Sequence, residues 1–152
     1  MMISMVNIRD SMASLLKSGF ADWKVHFDNV ERPHAPYFYV ELSPRAKSLD
    51  DVYSERRIAV NIAAILPQNR AGRVSRKDLF DVVDKLDCLI RPVFKVGDRA
   101  ITITEANSVI VDDILHYYFE LNFVDAVEKD DGELAMELEL NLMMKGMNAN
   151  GK

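Results

Sequence analysis

The chain has 152 residues, of which 49% are apolar and 28% are charged, and its net charge is −5. This length suits one ordinary domain with a core of its own, and the mixture excludes an intrinsically disordered chain. The longest unbroken apolar run, Ile62–Leu66, is far shorter than the roughly 20 residues of a membrane-spanning helix. We therefore expect no membrane partner.

Cys88 is the only cysteine, which excludes an intrachain disulfide and indicates a reducing, intracellular environment. Charge is unevenly distributed, with a balance of +3 over residues 1–104 and −8 over residues 105–152. This asymmetry predicts either a solvated acidic edge or head-to-tail contacts between oppositely charged surfaces. The acidic total argues against free-standing nucleic-acid binding.

Two amphipathic helices are predicted, because apolar residues recur at steps of three and four over residues 3–18 and again after Ser75. Gly19 is expected to end the first helix in a left-handed cap position. Ser75 and Asp78 resemble a capping box at the start of the second helix, and Pro92 limits its end.

Alternation of apolar and polar residues predicts the strands. They are expected at residues 23–27, 37–42, 52–66, 101–104, 108–111, 115–124 and 134–142, with turns at residues 43–51 and at Asp112–Asp113.

Two helices among strands joined mostly by tight turns predict an α+β fold. We expect a mostly antiparallel β-sheet with the two main helices packed on one face. Residues 1–143 are expected to form a single domain, and residues 144–152, which lack a pattern, a mobile C-terminal tail.

No catalytic constellation is visible in the sequence. The three histidines lack the spacing of a helical zinc pair, and no glycine-rich phosphate loop exists. Cys88 lies in a predicted helix and is expected to be a buried structural thiol. Asp112 and Asp113 are interpreted as a turn with side chains in solvent rather than an acid–base pair. We therefore expect no enzyme, no cofactor and no metal.

A basic loop precedes and enters the second helix, formed by Arg70, Arg73, Arg76 and Lys77. It is either a solvated loop or a surface that faces a polyanion or an acidic partner. Cations at a helix N-terminus oppose the helix dipole, and this mild conflict favours a functional use.

Two strands carry polar faces suited to a protein partner. Residues 115–124 place His116, Tyr118 and Glu120 on one face, a mixture of aromatic and polar groups typical of interfaces. Residues 134–142 place Glu137 and Glu139 opposite an apolar face, and unpaired strand edges invite pairing with another chain. We interpret these five side chains as candidates for subunit-interface strands.

Within residues 5–142 the chain contains, in this order, HAPYFYVEL, YSERRIAVNIAAILP, DLFDVVDKLDCLI and the hairpin VIVDDILHYYFELNFVDAV. This order of segments resembles that of the tail-terminator, or tail-completion, family of bacteriophages. The form it resembles is that of prophages and phage-tail-like particles of Gram-positive bacteria. Asp113 stands where members usually have glycine, so the turn must tolerate a positive φ or change its type.

The resemblance implies a homohexameric ring at the head-proximal end of the tail tube. Such a ring caps the tube, ends its polymerisation and offers a docking surface to the head connector or collar, and to the sheath if the tail contracts. Its partners would be its own copies and the tail tube protein, with passage of DNA through the lumen without sequence-specific binding. Assembly would take place in the host cytoplasm before the protein enters the particle.

Three alternatives stay open at this point. One is a neck or head-completion adaptor of the same particle. Another is a small enzyme or ligand-binding α+β domain, and the third is a dimeric scaffold protein.

Overall fold

The computed structural model describes residues 2–29 and 33–126 of the chain. The predicted strand at residues 134–142, with Glu137 and Glu139, lies outside the described residues. So does the predicted tail at residues 144–152.

The part of the chain that the structure describes contains two helices of equal length, which form one layer. Helix α1 spans Met5–Gly19 and helix α2 spans Arg76–Ile90. Each buries residues at steps of three or four on a single face, as the sequence periodicity predicted: Ile8, Met12 and Leu16 in α1, and Leu79, Val82, Leu86 and Ile90 in α2. Neither has the length and apolarity that crossing a membrane would take.

The described residues also form seven strands, numbered here in chain order. They are β1 Lys24–His26, β2 Tyr37–Ser48, β3 Tyr53–Ile65, β4 Val93–Val96, β5 Arg99–Thr102, β6 Ala106–Val111 and β7 Ile114–Ala126. The main sheet has the order β1-β2-β3-β7-β6, and β4 and β5 form a separate hairpin. All pairs are antiparallel except β1 with β2. The predicted α+β fold with a mostly antiparallel sheet is confirmed.

The core lies between the helices and one face of the main sheet. Along β7, Leu115, Tyr117, Phe119, Leu121 and Phe123 are buried while their neighbours are not. Those residues join the buried stripes of α1 and α2 in one apolar cluster. Both helices therefore cover the same sheet face, as predicted, and the opposite face carries no helix among the described residues.

The prediction of a turn at residues 43–51 is wrong. β2 continues to Ser48, and the turn is confined to residues 49–52, where Asp50 accepts hydrogen bonds from the backbone N–H groups of Val52 and Tyr53 at 2.8 and 2.7 Å. Pro44 suggested a break because it lacks an N–H donor. β1 pairs only with residues 37–39 of β2, so Pro44 lies on an edge where that donor is not needed.

Two further expectations need correction at the helix ends. Gly19 is not a left-handed cap but the last helical residue, and a Cβ there would lie 2.3 Å from Cδ1 of Leu89. Its role is to let α1 approach α2. Ser75 is the N-cap of α2, as predicted, but its side chain makes no capping hydrogen bond, so no capping box forms with Asp78.

The strand predicted at residues 101–104 corresponds to β5 of the β4–β5 hairpin, whereas β4 was not predicted from the sequence. β5 ends at Thr102 and pairs with β4, whose four residues follow Pro92 directly. Gly97 makes the tight connection with a φ of +56°.

A buried carboxylate, Asp125, ties the N-terminal segment to the end of the sheet. It is 4% exposed and accepts a hydrogen bond from the backbone N–H of Ile3 at 2.6 Å. The guanidinium groups of Arg99 and Arg56 lie 3.4 and 3.8 Å from its oxygens, and Arg56 also donates to the carbonyl of Ile3. One anion therefore holds together four segments that are distant in the sequence.

We predict that Asp125→Asn lowers the free energy of unfolding by about 2 kcal/mol or more, because two arginines lose their shared counter-ion in a largely buried site. Urea unfolding of the two proteins measures this difference. Asp51→Asn, an exposed change in the β2–β3 turn, is the matched control and should leave stability within about 0.5 kcal/mol. Equal losses in both variants would contradict the prediction.

Candidate protein-interaction surface

The face of the main sheet that points away from the helices is here called the open face. Residues paired across neighbouring strands share a face, so the register defines its rows. One row contains Tyr39, Ala63, His116 and Val109. The next row towards the β2–β3 turn contains Glu41, Asn61, Tyr118 and Asn107. The open face is thus aromatic and apolar at one end.

The three described members of the predicted interface set all lie on this face. His116 is half-buried and its ring stacks on Tyr118, with ring centroids 6.0 Å apart. Tyr118 is 41% exposed. Glu120 is exposed and lines a groove with Tyr118, Asn122 and Thr104. The structure therefore gathers these side chains on one surface, as alternation along β7 indicated.

Asn61 lies in the middle of the open face and is incompletely satisfied. Its Nδ2 donates to Nδ1 of His116 at 3.5 Å in the tautomer that carries the ring proton on Nε2. Its Oδ1 is buried, and no described side chain or backbone group donates to it. A buried amide oxygen without a donor costs about 1–3 kcal/mol.

An apolar cleft of about 280 Å³ opens at the end of the open face near the β6–β7 turn. We call it the upper cleft. Its floor is formed by Ala63 and Ile65 of β3 and Ile114 of β7, and aromatic rings stand on both sides. Its walls include His26, Asp28, Tyr37, Tyr39 and His116.

The basic loop does not present four equivalent cations. Arg73 donates to the carboxylate of Asp113 at 2.9 Å, and the backbone N–H of Val74 donates to the same group at 3.2 Å. The loop is folded over Asn69, whose side chain accepts from the backbone N–H groups of Ala71 and Arg73 at 2.9 and 3.0 Å. Arg70, Arg76 and Lys77 are exposed.

Asp113 shows the electrostatic consequence of this contact. The hydrogen bond from Arg73 lowers the pKa of the Asp113 carboxyl, with further lowering by the backbone N–H of Val74 and by the positive charges of Arg73 and Arg76. The same bond raises the pKa of Arg73. The β6–β7 turn and the start of α2 are therefore joined by an ion pair.

Sequence reasoning identified the Asp112–Asp113 turn correctly and its chemistry incorrectly. Both residues have positive φ, 51° and 61°, which is the type I′ geometry that matches strand twist in a two-residue hairpin. Asp113 was expected to point into solvent, yet it anchors the basic loop. A local pattern does not reveal a partner 40 residues away in the chain.

Cys88 lies in a different environment from the one predicted, and Tyr117 makes a contact that was not predicted. Cys88 is exposed on α2, so its prediction as a buried thiol is wrong. The hydroxyl of Tyr117 donates a hydrogen bond to Asp87 of α2 at 2.5 Å. The pKa of Tyr117 is raised, mainly by burial and secondly by this bond. Among the described residues, no group of three or more His, Cys, Asp or Glu is arranged to hold a metal ion.

In the part of the chain that the structure describes, this α+β domain leaves aromatic and apolar side chains uncovered on one sheet face, a surface typical of proteins that bind other proteins. The model of a family described as phage tail terminator protein matches residues 7–133. The chain therefore belongs to the phage tail terminator protein family and is a structural component of a phage tail.

Other comparisons add little. No curated protein matches the chain. One solved structure is 18% identical, and the match covers 85% of this chain and 99% of the other, with a TM-score of 0.45. A likeness at that level supports no argument about this protein.

We predict that Asp113→Asn lowers stability at pH 6 and that the difference from the unsubstituted protein shrinks towards pH 3. The folded-state pKa of Asp113 is lowered, so its contribution is present above the unfolded value of about 3.9 and is lost as the pH falls through the folded value. Asparagine tolerates the positive φ, which isolates the charge.

Urea unfolding at both pH values measures this effect. Asp112→Asn, the neighbouring turn residue, is the control and should show a smaller pH-dependent difference. If the difference in free energy of unfolding between Asp113→Asn and the unsubstituted protein stays constant from pH 6 to pH 3, the charge explanation is ruled out.

Proposed function

We propose that this protein forms a homohexameric ring that caps the tail tube, ends tube polymerisation and provides the docking surface for the head connector or collar. The observation that carries the proposal is the apolar end of the open face, which the described residues leave uncovered in a member of this family. In a contractile tail the same ring would also meet the sheath.

The exposed apolar side chains of the sheet support assembly through this face. Val109, Val111 and Tyr118 are 47%, 50% and 41% exposed, and all three side chains lie on the open face. Solitary exposed apolar residues are common, but a contiguous set on one surface marks an interaction site. Covering them with another copy would remove this area from water and contribute to ring stability.

Ring closure requires contacts between different patches of identical copies. The open face and the helix layer lie on opposite sides of the domain, so they can meet head to tail. The acidic C-terminal third and mildly basic body of the chain favour the same arrangement. Glu137 and Glu139, proposed as interface residues, would contribute to this asymmetry.

The basic loop is proposed to face the lumen or a partner in the assembled ring. Arg70 lies in the exposed loop before α2, whereas the side chain of Arg73 binds Asp113. Exposed guanidinium groups bind phosphate without reading sequence, which suits a channel through which DNA passes.

Mixing purified protein with the tail tube protein should produce a six-subunit ring, detected by native mass spectrometry.

Particles assembled without the protein should carry tubes of uncontrolled, mostly greater length in electron micrographs. A neck or head-completion adaptor would instead leave tube length normal while heads fail to join. Tubes of normal length in its absence would therefore refute the capping role.

Arg70→Glu is expected to leave ring formation intact and to reduce DNA delivery by assembled particles, because a negative charge in the lumen repels the phosphate backbone. Arg70→Lys is the matched control and should deliver DNA at nearly the level of the unsubstituted particle. Native mass spectrometry measures ring formation, and a DNA-transfer assay measures the amount of DNA that the particles deliver. Normal delivery by Arg70→Glu particles would exclude a lumenal role for this arginine.

A further inference from the structure

Helix α2 carries a large apolar side chain on its outer face. Phe80 is 57% exposed, although α2 buries Leu79, Val82, Leu86 and Ile90 beneath it. A phenylalanine held on a regular helix is positioned with little conformational freedom, which makes it an effective anchor at an interface. Its exposure in the single chain leaves this apolar surface in water.

The upper cleft offers a matching cavity on the opposite layer. It measures about 280 Å³, and its floor and sides are formed by apolar and aromatic residues such as Tyr39, Ala63 and Ile65. A single aromatic ring fits such a cavity and would contact other rings there at edge-to-face or stacked geometry. Phe80 and the cleft therefore lie on opposite sides of one chain and suit each other in shape and polarity.

Phe80 and the upper cleft also lie at the same level of the domain. Arg73 and Val74, directly before α2, bind Asp113 in the β6–β7 turn, and Ile114 next to it lines the cleft. Phe80 follows Ser75 by five residues, or about 7.5 Å of helix. A head-to-tail contact closes into a ring when successive copies are related by rotation without an offset along the axis, so features at equal height meet one requirement for closure, whereas an offset would produce a helical filament.

We propose that Phe80 of one copy inserts into the upper cleft of the next copy, and that this contact builds the ring. The inference rests on the proposed function, because it names the contact by which the ring would close. The occupant of the cleft is thus a second copy of this chain, not a small molecule.

Charge supports the same pairing. Asp28 stands at the β1 side of the cleft, and Arg76 lies one helical turn before Phe80 on the outer side of α2. The two inter-strand spacings from Ala63 to β1 span about 10 Å, and one helical turn plus an extended arginine side chain covers that distance. With Phe80 in the cleft, Arg76 can therefore reach Asp28 of the neighbouring copy.

The test uses two full-length variants that each remove one half of the contact. Phe80→Asp keeps the cleft and loses the inserted ring, while Ala63→Trp keeps Phe80 and fills the cleft. Loss of an aromatic anchor weakens a contact by about thirtyfold or more. Each variant alone should be monomeric at concentrations where the unsubstituted protein forms rings, as measured by native mass spectrometry and light scattering.

Mixing the two variants should restore a single contact. A 1:1 mixture should form a heterodimer that does not grow, since Ala63→Trp contributes Phe80 and Phe80→Asp contributes the open cleft. Val6→Asp is the control, because Val6 is 61% exposed on α1 and outside the proposed contact. It should form rings normally.

The outcomes separate this contact from the ring itself. Rings formed by Phe80→Asp, or a mixture of well-folded variants without heterodimer at any concentration, overturn the inference while the ring stands. An unsubstituted protein that stays monomeric even with tube protein overturns both. Circular dichroism verifies that each variant folds, and Ile65→Lys replaces Ala63→Trp in the same mixing test if that variant does not.

Discussion

The long antiparallel pairing of β3 with β7 is the constraint on which the rest of the structure depends. It runs from Tyr53 opposite Ala126 to Ala64 opposite Leu115 without interruption. Because side chains alternate along both strands, this register sends one set into the core and the other to the open face. A shift by one residue would exchange the two sets and expose the core.

Two carboxylates fix the ends of this framework. Asp125, close to the end of β7, gathers the N-terminal segment, Arg56 and Arg99, while Asp113, just before its start, holds the loop that leads into α2. The helix layer is thereby held in place relative to the sheet. Within residues 2–29 and 33–126, the sheet therefore has one covered and one uncovered face, and these are the two different surfaces that the proposed head-to-tail contact would join.

The periodicity of apolar residues predicted those elements that are determined by neighbouring residues in the chain. The two helices, the half-buried β7 and the tight turn at Asp112–Asp113 follow from spacing alone, and the exposed position of Tyr118 follows from alternation. Contacts across the sequence were not predictable in this way. The length of β2 depends on an edge that tolerates Pro44, the role of Gly19 depends on Leu89, and the anchoring role of Asp113 depends on Arg73. The upper cleft combines four strands and leaves no linear signature.

The central claim is that another copy covers the open face on assembly, and hydroxyl-radical footprinting of free protein and of isolated tails tests it most directly. The account predicts strong protection of Tyr118, Tyr39 and Phe80 in tails, with Val6 modified equally in both states. If Tyr118, Tyr39 and Phe80 are modified to the same extent in free protein and in tails, as Val6 is, the claim is contradicted.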